Sequence, residues 1–179
     1  SAAVNLKMQE KGRKVNLWFS GDIGRRDVPL LRDPVLPGFT DILLMESTYG
    51  DKPHRNPEEA YVEMRQVILR TLNRGGKVII PSFAIGRTQE LVYNLNRMYQ
   101  AGELPKVPIY VDSPLAVNAS DIFKLHAECY DAETLKLIHS GHPALDFELL
   151  TYVHSLDESK ALNERKDPVI VISASGMSQ

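Results

Sequence analysis

Apolar residues in this chain come in short runs that stop abruptly at glycine, hydroxyl or acidic positions. Residues 15–19 run into Ser20-Gly21-Asp22, and residues 42–45 run into Glu46-Ser47-Thr48-Tyr49-Gly50-Asp51. Residues 77–81, 107–111 and 168–172 repeat the form, the last running into Ser173-Ala174-Ser175-Gly176. A few apolar residues followed at once by loop-forming ones predict buried strands feeding loops. Between them lie stretches with helical spacing. Asn56 as N-cap, Pro57 at the first helical position and Glu59 in the first turn open one helix, which Gly75-Gly76 ends. Ala60, Met64, Val67, Ile68, Thr71 and Leu72 form its predicted inner face. A second helix is expected over about 88–100, with Leu91, Val92, Leu95 and Met98 or Tyr99 inward. Ser113 and Pro114 start a third, with Leu115, Ala119, Ile122, Phe123 and His126 along one side.

The remainder is less patterned. Residues 1–14 read as rather polar and weakly patterned, and 23–41 as a loop rich in Arg, Asp and Pro. Residues 127–151 are the least readable: Gly141-His142-Pro143 marks a loop, and 147–150 fits helix or strand. A short helix is expected over 157–165. Strands near 42–46, 77–81, 108–112 and 169–173 alternating with helices predict an α/β fold, a parallel sheet with helices on both faces. Their loops would emerge on one edge, gathering Glu46 and Arg87 there.

Totals change this picture little. A chain of 179 residues, 43% apolar and 25% charged, suits an ordinary globular fold. No apolar run approaches the roughly 20 residues of a membrane helix, so no membrane partner is expected. Cys129 is the one cysteine, which rules out an internal disulfide and fits a reducing, cytoplasmic setting. A net charge of −2 supplies no general attraction for nucleic acid, so any such binding must be local. Ser1 is not an ordinary start, and the expectation is a portion of something longer.

The candidate chemistry sits at the strand exits. Asp22 and Glu46 are expected as neighbours facing one cleft; for any single acid the commoner case is instead that Asp22 caps a turn and Glu46 pairs with a nearby arginine. Arg25 and Arg26 follow Asp22, where a phosphate could arrive. The 82–87 loop leads into a helix start, which suits an anion, and Arg87 adds a planar donor fork. The alternative is that Ser82 and Arg87 only brace the turn. Ser113 reads most simply as an N-cap, and Ser175 as part of a small-residue lip or a plain tight turn. The loop lacks the glycine-lysine pattern of a P-loop and the glycine triplet of a dinucleotide site. His139 and His142 read as surface, His126 as a packing residue, His154 as a strand end. His54 alone ranks above background.

Ser20-Gly21-Asp22 with Gly24-Arg25, and Glu46-Ser47-Thr48-Tyr49-Gly50, resemble the β-CASP branch of the metallo-β-lactamase superfamily. Three later blocks agree: Pro81 to Arg87 with Gln89-Glu90-Leu91, Asp112 to Ala116, and Ile172 to Met177. That branch includes the endonuclease subunit of the cleavage and polyadenylation factor and its prokaryotic relatives. The resemblance implies residues 1–48 as part of a metallo-β-lactamase domain and residues 49–179 as a β-CASP domain.

It also implies function: part of a zinc-dependent RNA nuclease that hydrolyses phosphodiester bonds. Asp22 would bridge two zinc ions, and Glu46 would steady a histidine elsewhere in the protein. Ser82, Arg87, Ser113 and Ser175 would line the RNA groove. Glu rather than Asp at position 46 resembles the RNA-directed members. The family's histidine clusters are absent from this stretch, so the isolated chain is expected to hold no zinc and cut nothing. Implied partners are RNA and, among proteins, a second copy or the subunits of a processing complex. Two rivals stand beside this reading: a non-catalytic RNA-binding or scaffold module of the same family, and an unrelated α/β transferase binding a nucleotide at the 82–87 loop.

Overall fold

A computed structural model describes residues 3–174 and divides into two compact units. The first comprises residues 1–28 and 33–57, the second residues 29–32 and 58–179.

The first unit is built on a three-stranded sheet in the order β1-β2-β3. Strands β1 (Val4–Glu10) and β2 (Arg13–Phe19) form an antiparallel hairpin. Lys11 (φ 47°) and Gly12 (φ 81°) turn the corner, the two positive φ values that a tight hairpin of matching twist requires. Strand β3 (Ile42–Leu44) pairs parallel with β2, Leu17 beside Ile42 and Phe19 beside Leu44. The register sets Val4, Leu6 and Met8 on the same face as Leu17 and Phe19, while Trp18 is buried on the other. Residues 1–14, weakly patterned as a sequence, thus include a full strand. Alternation of Val4, Leu6 and Met8 with Asn5, Lys7 and Gln9 was its signal, a period of two easily mistaken for mere polarity.

The second unit carries a four-stranded, wholly parallel sheet in the order β4-β7-β5-β6. Its strands are β4 (Val78–Ser82), β5 (Ile109–Asp112), β6 (Leu150–Tyr152) and β7 (Ile170–Ala174). Helices α1 (Pro57–Asn73), α2 (Arg87–Gln100), α3 (Pro114–Leu125), α4 (Ala132–His139) and α5 (Leu156–Glu164) flank it. This is the expected α/β architecture with one exchange of members. Residues 42–44 belong to the first unit's sheet, and the fourth parallel strand is β6, drawn from the unreadable stretch. Glu46 therefore does not share a sheet edge with Arg87. At three residues each, β3 and β6 are too short for periodicity to assign them a sheet.

Helix α1 begins at Pro57 as the N-cap signal predicts and stops where Gly75 turns left-handed (φ 76°). A Cβ on Gly76 would meet Thr71 Cγ2 and O at 3.0 Å, so a side chain there would strain the exit. Tyr61, Met64, Ile68 and Leu72 face the core; Ala60 and Val67 are exposed. Helix α3 is capped by Ser113 Oγ, which accepts the Ala116 N–H at 3.2 Å. Of the expected stripe, Ala119 is buried and Phe123 packs against the core, while Leu115 and Ile122 are exposed; Ala116, Val117 and Ser120 complete the buried face. His126, expected inward, lies outside beside Glu128 at 2.7 Å.

Helix α2 is enclosed nearly all round, and Val92, Leu95 and Met98 have no exposed surface. Burial of a whole helix obliges its polar side chains to find partners inside. Gln89, at 0% exposure, does so fully: Oε1 accepts the Gly86 N–H at 2.7 Å. Its Nε2 lies 3.0–3.3 Å from Ser120 Oγ, Ala84 O and Ala116 O. Asn96 Nδ2 donates to Pro143 O and Ala144 O at 2.8 and 3.1 Å. The loop segment at residues 29–32 joins this core through Leu30, 1% exposed with φ 90°. Its N–H donates to Asp131 Oδ2 (3.0 Å) and its carbonyl accepts the Asp131 N–H (3.1 Å). Asp131 Oδ1 also caps α4 through Thr134 N–H at 2.7 Å.

Two expected outcomes follow from this core. Gln89→Leu keeps the volume but orphans the Gly86 N–H and the Ala84 carbonyl, costing about 2 kcal/mol of unfolding free energy as read by urea denaturation. Tyr152 donates its hydroxyl to Leu145 O at 2.8 Å, and burial pushes its pKa up to about 12 from 10.0. The unfolded chain then loses that proton first, so the contribution is complete below pH 10 and disappears as pH rises to 12. Tyr152→Phe should flatten alkaline destabilisation over that window, measured by denaturation at a series of pH values.

Candidate active site

Strands β2 and β3 end side by side, and the backbone beyond them is stitched together. Ser20, 3% exposed, donates its N–H to Leu44 O at 2.9 Å and accepts the Glu46 N–H on Oγ at 3.0 Å. Gly21 (φ 56°) then turns the chain in a conformation that side chains rarely adopt. Asp22 follows, exposed, with Ile23 behind it. Glu46 Oε1 accepts the Ile23 N–H at 2.5 Å. The half-buried carboxylate of one strand exit thereby holds the residue next to the exposed carboxylate of the other. Glu46 thus comes beside Ile23, the residue after Asp22; of the two carboxylates expected to face one cleft, Asp22 lines the cavity that opens here and Glu46 does not. A cavity of about 460 Å³ opens here, lined in part by Trp18, Ser20, Asp22, Ile23 and Val35. Its size is that of a small-ligand cleft. His54 packs edge-on against Tyr49, ring centroids 5.5 Å apart.

The second unit holds the other sequence-level candidates, and their burial separates them. Ser82 is 4% exposed, its Oγ 3.2 Å from Thr88 Oγ1 and 3.3 Å from Phe83 O. Ser113 is 2% exposed and occupied as the α3 cap. Both hydroxyls are spent inside the domain, which is the bracing alternative. Arg87 is half-exposed, with Nη1 2.8 Å from Glu90 Oε2. The start of α2 is not an open anion cradle either: the Arg87 N–H goes to Ile85 O at 3.1 Å, and the Thr88 N–H to Phe83 O at 3.2 Å. Ser175 lies outside the described residues. What the sequence reading passed over is Phe83, which the loop holds outward at 74% exposure. An aromatic beside a strand exit was its signal.

Among the described residues no three or more His, Cys, Asp or Glu side chains gather as a metal site. A zinc ion takes three or four protein ligands. The donors described here therefore do not complete one; Asp22 and Glu46 are the carboxylates they offer.

A family model for the Beta-Casp domain matches residues 88–179. Among curated proteins, a ribonuclease of Thermus thermophilus is 39% identical over 94% of this chain and 38% of its own length. A transcription termination factor of Methanothermobacter thermautotrophicus is 36% identical over 90% of this chain and 26% of its own. An endoribonuclease of Schizosaccharomyces pombe is 30% identical over 92% of this chain and 21% of its own. The chain thus spans about two fifths or less of the length of these relatives.

Glu46→Ala should release the Ile23 amide, costing roughly 1.5 kcal/mol for a bond to a charged acceptor. Glu46→Gln keeps an acceptor oxygen and should cost little. Amide hydrogen exchange at Ile23 distinguishes the two.

Proposed function

The chain belongs to the β-CASP domain family, and on that premise we propose that it is part of a zinc-dependent ribonuclease of RNA processing or decay. The observation that carries this reading is the placement of Asp22 and Glu46 at the ends of two hydrogen-bonded parallel strands, on backbone fixed by Ser20. The names of the relatives, two of them ribonucleases, supply the substrate class.

In this reading Asp22 is a metal ligand, and the histidines that complete the centre lie outside the described residues. Bound divalent metal supplies charge stabilisation at the scissile phosphate and a water of lowered pKa. Glu46 is a positioning residue: it fixes the backbone next to Asp22 through Ile23 and steadies the histidine shell. Arg87 meets a phosphate of the RNA. Ser82 and Ser113 hold the loops that present it, and Ser175, outside the described residues, is a further RNA contact in this reading. RNA is the partner, together with a second copy or the subunits of a processing complex, in a cytoplasmic setting.

The test is cleavage of single-stranded RNA by the intact protein. Wild type should cut, a chelator should stop it and added zinc should restore it. Glu46→Gln should lower the rate by roughly 10–100-fold, the usual cost of removing a group that orients a metal ligand. Asp22→Ala should lower it further. RNA bound but uncut by wild type would favour the non-catalytic module, and no RNA binding would refute both.

A further inference from the structure

The 82–87 loop alternates in a way its hydroxyls do not explain. Ser82 is buried, Phe83 projects, Ala84 packs against the core, Ile85 projects and Gly86 turns left-handed at φ 83°. Phe83 is held outward by the backbone beneath it. Its carbonyl receives the Thr88 N–H at 3.2 Å and the Thr88 hydroxyl at 2.8 Å, and Thr88 is itself 1% exposed. Further along, Gln89 clamps Gly86 N–H and Ala84 O. A large aromatic that the described residues leave uncovered is set by this buried bonding outside the core of its own unit, and the loop has the rigidity to define its position. Four residues on, at the start of α2, stands the half-exposed Arg87 guanidinium, steadied by Glu90.

We propose that Phe83 is a stacking platform for an unpaired base of single-stranded RNA, with Arg87 on an adjoining phosphate. The inference rests on the ribonuclease reading and names how that substrate is gripped. An exposed planar apolar face and a cation four residues apart on one pre-set loop suit a base and its phosphate, since every base offers a π-face and stacking tolerates any sequence. Pre-setting matters because the ring loses little freedom on binding. With a chain charge of −2, the grip must come from such local pairings rather than a general field. The contact is therefore carried by the loop's apolar residue and its arginine, while the neighbouring serines stay inside.

The experiment measures affinity of the intact protein for a fluorescein-labelled single-stranded RNA of roughly twelve nucleotides, by anisotropy at several salt concentrations. Phe83→Ala should weaken binding about 5- to 150-fold, the range for loss of one stacked base, with the salt dependence unchanged. Phe83→Trp should restore it to within about threefold, because any aromatic can stack. Arg87→Gln should instead lower the slope of log K against log salt by about 0.7, one phosphate contact on a single strand. Circular dichroism checks that the exposed-site variants fold. Wild-type binding by Phe83→Ala, or a Trp variant as weak as the Ala one, would overturn the platform and leave the ribonuclease reading standing. Wild type that neither binds nor cuts RNA would remove both.

Discussion

A polar carboxamide with no access to water governs the second unit. Gln89 sits in the most enclosed helix of the fold, and every hydrogen-bonding atom it has must be answered by protein. The answers come from the loop before the helix and from α3. The loop's course and the seat of α3 are consequently two sides of one requirement. Thr88 and Asn96 extend it along the same helix, to Phe83 and to residues 143–144. Apolar packing drives α2 inward, but these bonds decide which neighbours it can have.

The functional loops divide along the same line between inside and outside. A motif rich in serine and threonine invites the thought that its hydroxyls greet a ligand. Here those hydroxyls close the loop on itself, and the side chains left outside are an aromatic, an isoleucine and an arginine. In the first unit the division is subtler. Ser20 is buried and structural, Glu46 is half-buried and spends one oxygen on Ile23, and Asp22 is left at the surface. One serine and one glutamate thereby specify where an exposed carboxylate stands.

Local signals were legible and non-local ones were not. Pro57, Ser113 and Gly75-Gly76 act within a turn of themselves, so helix ends followed from them directly. That the strands before Asp22 and Glu46 end side by side was readable because two strand exits in succession usually adjoin. Sheet membership is decided by hydrogen bonds between distant residues, and so β3 went to the wrong sheet and β6 to none. The face of α3 was misjudged by about one residue because Leu115 and Ile122 are apolar yet exposed, while Ser120 is polar yet buried beside Gln89. Helix α4 escaped notice at eight residues, although Asp131 was in place as its cap. The strand at the amino end hid because half its residues are polar by design of the alternation.

Leu30 is held to two standards that ordinarily conflict. At φ 90° its backbone favours glycine, while at 1% exposure its side chain fills the core. Glycine would relax the one and hollow out the other, and a β-branched residue would worsen the strain without matching the shape. Few amino acids satisfy both, so drift at this otherwise unremarkable loop position should be narrow. A stretch that looks like variable surface would, in a collection of descendants, behave like interior.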